Sequence, residues 1–72
     1  MELQDQLDAH LTLLSFVLSV TSKDSIVPEI SQKWAMKTMV QRFLANEPGV
    51  NETRIICGEV MREARQRAAV HV

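Results

Sequence analysis

Tyrosine is missing from this 72-residue chain, cysteine occurs once, and glycine and proline occur twice each. Each scarcity excludes something. Cys57 alone cannot form an intrachain disulfide, and together with His10 and His71 it offers none of the closely spaced ligand pairs that zinc sites use, so no metal or other cofactor is expected. Gly49 and Gly58 stand apart, which excludes a glycine-rich phosphate loop. Aromatic residues make up 4% of the chain and β-branched residues form no alternating run, so strands have little support. An excess of charge is also missing. A net charge of −1 and a pI near 6.0 give no general attraction to nucleic acid or to an anionic membrane. The longest apolar run, Leu11–Val20, is about half of the roughly 20 residues that span a bilayer. It follows an acidic segment where an export signal would carry basic residues, so neither a membrane anchor nor secretion is expected. A reduced, cytoplasmic setting fits the single free thiol.

What is present is helical periodicity. Three segments carry it, and they predict helices over about 2–20, 28–46 and 52–70 of a single domain. Thr21-Ser22-Lys23-Asp24-Ser25 reads as a turn, and Pro28 suits a helix start because its missing N–H would be unpaired there. Asn46-Glu47-Pro48-Gly49 closes the second helix, and Asn51 reads as the N-cap of the third. The fold class is therefore all-α, a three-helix chain.

The first helix has two apolar sectors. At about 100° per residue, Leu3, Leu7, Leu11, Leu14 and Leu18 share one stripe, which is expected to seat the helix on the other two. Leu13, Phe16, Val17 and Val20 form a second sector. A chain of this size has a marginal monomeric core, and a three-helix chain has few neighbours to cover so apolar a helix. The expectation is a helical-bundle homodimer with Leu13, Phe16, Val17 and Val20 as its interface. In the second helix Met36, Met39, Val40, Phe43 and Leu44 form the inward stripe, with Trp34 nearly opposite. In the third, Ile56, Cys57, Val60, Met61, Ala64 and Ala68 turn inward.

Catalysis finds no constellation. A nucleophile would need a histidine and an orienting acid, and His10 on the first helix and His71 in the tail are not placed by spacing near Cys57 or a serine. Asp5 and Asp8 share a helical face near an open end, with nothing to dry them.

Residues 41–55 resemble the local pattern of helix-turn-helix DNA-binding motifs, with Ala45, Gly49, Val50, Asn51 and Ile55 in matching places. The resemblance implies a recognition helix over 52–70, with Arg54, Arg62 and Arg65 on its outer face as phosphate contacts. Two features depart from the pattern. Pro48 stands where the motif usually has leucine, and the motif would bury Ile55, about 100° from the sector that the third helix's own periodicity buries.

These readings lead to a small non-enzymatic regulatory or adaptor protein, of the kind bacteria and their phages encode, that pairs with itself and docks on another protein. Trp34, off the main stripe, is the expected partner-binding residue. The alternative is a dimeric DNA-binding regulator.

Overall fold

The computed structural model describes residues 2–70 and contains three α-helices, α1 Leu3–Thr21, α2 Glu29–Asn46 and α3 Val50–Val70, with no strand among the described residues. His71, discussed above, lies outside the described residues. The helix boundaries follow from local chemistry. Pro28 sits extended at the start of α2, with Glu29 in the first turn near the positive helix end. The C-cap, Glu47, adopts the left-handed conformation at φ 45° and ψ 54°, and its N–H donates to the Phe43 carbonyl at 3.0 Å. Pro48 then prevents any continuation.

α3 begins earlier than Asn51 as a cap predicts. The Gly49 carbonyl accepts the Thr53 N–H at 2.9 Å and the Thr53 hydroxyl at 2.6 Å, so the first turn already encloses Asn51. A Cβ on Gly49 would lie 2.9 Å from Glu52 Oε2 and 3.2 Å from Asp5 Oδ2. Two carboxylates therefore crowd the positive end of the α3 dipole, a favourable placement that ties α1 to the α2–α3 turn.

Three side-chain pairs fix the topology. The His10 and Phe43 rings meet edge to face with centroids 4.9 Å apart, and Gln6, a turn earlier on α1, shares a cleft with Glu47, a turn later at the end of α2, so α1 runs antiparallel to α2. Arg42 donates to Glu59 at 3.0 Å, and the Arg67 guanidinium lies 4.5 Å from the centre of a Trp34 ring. Moving eight residues back along α2 thus moves eight residues forward along α3. The two helices run side by side in opposite directions from the 47–49 turn to their far ends, and the bundle is up-down-up.

The core is built from Val20, Val27, Ala35, Met39, Cys57, Val60, Met61 and Ala64, with Leu13, Phe16, Val17, Trp34 and Met36 packed against it. Ala9, Ala35 and Ala64 have no exposed surface. Their small size lets the helix backbones approach closely. α3 buries the sector expected of it, Ile56, Cys57, Val60, Met61, Ala64 and Ala68.

On α1 the two sectors are exchanged relative to expectation. Leu13, Phe16, Val17 and Val20, assigned above to a dimer seam, face the chain's own core, where Val20 is completely buried. Leu3, Leu7, Leu11, Leu14 and Leu18, expected inside, remain 51–81% exposed. The reason is Ala9. It shares the Leu13–Val20 sector, and only that sector combines a small residue with β-branched ones, so only it can approach two helices at once. α2 departs in the same way. Val40 and Leu44 are exposed, and Ser31 and Ala35 take the inward places.

Candidate interaction surface

The outer face of α1 follows from a spacing of four, four, three and four residues between Leu3, Leu7, Leu11, Leu14 and Leu18. Leu7, Leu11, Leu14 and Leu18 occupy alternating a and d places of a heptad. Such a stripe buries itself against one other helix. Among the described residues no helix lies there, since α2 and α3 take the opposite side of α1.

A second stripe flanks it. Lys33, Lys37, Val40 and Leu44 recur at four, three and four residues along α2, all exposed. Leu44 lines a cleft with Gln6 and His10 of α1 and Phe43, Glu47 and Pro48 around the turn, so this stripe borders the leucine face. In that cleft His10 Nδ1 lies 2.6 Å from the Gln6 carbonyl and donates to it. On the other side of α1 a shallow depression is lined by Asp8, Leu11, Thr12, Ser15, Phe16, Val50 and Arg54. Its Thr12 hydroxyl donates to the Asp8 carbonyl at 2.8 Å.

Trp34 is half-buried. One part of the indole packs on the core and one ring face is covered by the Arg67 guanidinium. In the loop before α2, Val27 is buried while Ile26 stays 58% exposed. An indole held this way is chiefly a joint between α2 and α3, with part of its edge open to a partner.

Arg54, Arg62 and Arg65 are exposed on α3, beside exposed Gly58. Ile55 is exposed too, where the helix-turn-helix register requires it inside. The side-by-side α2 and α3 also differ from that motif, whose two helices diverge at about 90–120°.

Cys57 has no exposed surface. Burial pushes its thiol up to about 11 from an ordinary 9.0, with the Arg42 charge pulling weakly the other way. A thiol held neutral in this way is a small core residue and a poor nucleophile. Among the described residues no three His, Cys, Asp or Glu side chains are grouped to hold a metal ion. No described helix is long and apolar enough to cross a membrane.

Comparison with family models, with curated proteins and with solved structures finds no match to this chain.

Proposed function

We propose that this chain is a small regulatory or adaptor protein that works by binding other polypeptide chains and not by catalysis, with the leucine face of α1 as its docking surface. The observation that carries this is the exposure of Leu3, Leu7, Leu11, Leu14 and Leu18, each more than half open on one side of one helix. Five leucines aligned in this way form a contiguous apolar strip, and contiguous strips of that kind mark association sites on folded proteins. Heptad spacing suits a helical partner, because a and d leucines fit as knobs between four residues of a facing helix. Self-association into a homodimer is the simplest form of such binding. Trp34, with part of its indole open, is a secondary contact at the far end of α2.

A second reading, a DNA-binding regulator working through α3, has the exposed arginines Arg54, Arg62 and Arg65 in its favour. The exposed Ile55 and the antiparallel α2–α3 pair weigh against it.

Affinity capture with the intact chain tests the two readings together. Replacing Leu11 and Leu14 by Glu is expected to abolish recovery of bound proteins, including a differently tagged copy of this chain, and to leave heparin retention absent. Equal recovery by wild type and the double variant, with retention on heparin that weakens steeply as salt rises and falls further in an Arg54→Ala, Arg65→Ala variant, would replace the docking reading with the nucleic-acid one.

A further inference from the structure

Beyond the leucine face, we infer that the start of α2 and the end of α3 form a second surface, one that docks on an anionic lipid bilayer. Lys33, Lys37 and Arg67 meet the phosphate headgroups there, and Ile30 and Val70 reach the edge of the apolar layer.

The net charge of −1 conceals a polarity. Because the bundle runs up-down-up, residues 2–13 and 39–61 share one half of its length and residues 14–38 and 62–70 share the other. The first half carries six Asp or Glu against Arg42 and Arg54, a net of −4. The second carries six Lys or Arg against Asp24, Glu29 and Glu63, a net of +3. The molecule is 44 Å long, whereas charges are screened over about 8 Å at physiological salt, so a surface met by the basic end feels little of the acidic one.

Within the basic half, cations and exposed aliphatic residues gather on one side. Ile30, Lys33, Trp34 and Lys37 recur at the spacing of three, four and seven residues that shares one face of a helix. Residues of α2 and α3 whose numbers add to about 101 lie level, as Arg42 does with Glu59 and Trp34 with Arg67. Val70 is thus level with Ile30. The two are 85% and 70% exposed, so the patch has an apolar tip beside its cations. Glu63, one turn before Arg67, is its one acid, since Glu29 is turned about 100° round α2 from Ile30 and Asp24 lies in the loop. Lys33, Lys37 and Arg67 against Glu63 leave the patch at +2.

Arg67 is placed for phosphate. Its guanidinium is held over the Trp34 ring at 4.5 Å, which fixes a long side chain and leaves the in-plane N–H fork open to two oxygens of one anion. Among the described residues none of Lys33, Lys37 and Arg67 has an ion pair.

The mixture of side chains selects the ligand. A nucleic-acid backbone or free phosphate would use the cations and leave Ile30 and Val70 in water. An acidic peptide would need a groove, and neither cleft described above includes any of these residues. A bilayer edge takes both kinds, because lysine and arginine heads sit among anionic headgroups while aliphatic side chains and an indole edge lie at the apolar boundary.

The test uses the full chain and vesicles. The chain should sediment with vesicles of equal parts phosphatidylcholine and phosphatidylglycerol and not with phosphatidylcholine alone. Brominated lipid in the mixed vesicles should quench Trp34, the one tryptophan. A Lys33→Glu, Lys37→Glu variant, changed only at exposed positions, should keep its helicity and lose at least about 25-fold in vesicle affinity, about fivefold for each lysine removed. Ile30→Asp should weaken vesicle binding too, and the Leu11→Glu, Leu14→Glu variant should bind vesicles as wild type does. Absence of binding to the mixed vesicles would overturn the inference. Vesicle binding lost in the Leu11→Glu, Leu14→Glu variant and kept in the lysine variant would also overturn it, by moving the lipid to the leucine face. Binding to duplex DNA that equals vesicle binding and is untouched by Ile30→Asp would replace the bilayer with a phosphate backbone, and full displacement from vesicles by inorganic phosphate would replace it with a free anion. The capture experiment on the leucine face is unaffected by any of these results, so the two readings fail separately.

Discussion

The Arg67 guanidinium stacks on the Trp34 indole with 4.5 Å between charge centre and ring centre, and this contact closes the end of the α2–α3 pair farthest from its turn. Loss of the indole removes packing on the core as well as the stack. Trp34→Ala is therefore expected to lower stability by about 2 kcal/mol, below the roughly 3–5 kcal/mol typical of a fully buried Trp. Arg67→Ala should cost about 0.5–1 kcal/mol. Urea unfolding of the two single variants and the double variant measures the coupling. Additive effects would show that the two side chains act independently.

Glu47 offers a gain. A glutamate in the left-handed region is strained by about 1 kcal/mol, and glycine occupies that region freely. Glu47→Gly is expected to raise the thermal midpoint by a few degrees, about 0.5–1 kcal/mol, with the helix content unchanged. Glu47→Val, β-branched at the same backbone angles, should lower it.

Cys57 predicts a pH dependence with a definite sign. Its thiol is held up to about 11 in the folded chain against an ordinary 9.0. Between those values the folded state keeps a proton that the unfolded state has released, so stability falls as pH rises. The contribution is fully present below about pH 9 and gone above about pH 11, and it amounts to roughly 2–3 kcal/mol. Chemical denaturation across this window should show the fall in wild type and a smaller one in Cys57→Ala. Thiol reagents at pH 8 should label the native chain slowly.

The exchange of sectors on α1 can be checked with two substitutions two residues apart. Phe16→Asp places a charge against the chain's own core and should unfold it, seen as loss of helical circular dichroism. Leu14→Asp falls on the outer face and should leave the spectrum intact while reducing self-association. Equal effects would restore the sequence-based assignment.

Much of the fold was legible because punctuation and periodicity agree. Pro28, Pro48 and Gly49 mark the helix limits to within two residues, and on α3 the apolar period picks out the buried face from Ile56 to Ala68. The exposed leucine face of α1 was not, because hydrophobicity alone ranks five leucines above a sector that includes an alanine. What decides burial between helices is closeness of approach. Ala9 is fully buried on the same face of α1 as Leu13, Phe16, Val17 and Val20, and that small residue is the signal the periodicity alone does not weigh. The same correction applies on α2, where Ala35 and Ser31 go in and Val40 and Leu44 stay out.

The two connections, 22–28 and 47–49, also set how cheaply each helix contact closes. Arg42 reaches Glu59 across 17 positions of chain, and only seven residues join Thr21 to Glu29, whereas Asp5 reaches Gly49 across 44, so each neighbouring pair of helices closes a short loop and the α1–α3 contact closes a long one. Short loops close first at lower entropic cost. The α1–α3 contact is therefore the costly one to close, and until it closes the side of α1 that meets α3 faces water. Exposed apolar surface before that closure is where misassociation of a concentrated chain begins, so conditions that favour the α1–α3 contact are expected to raise the folded yield.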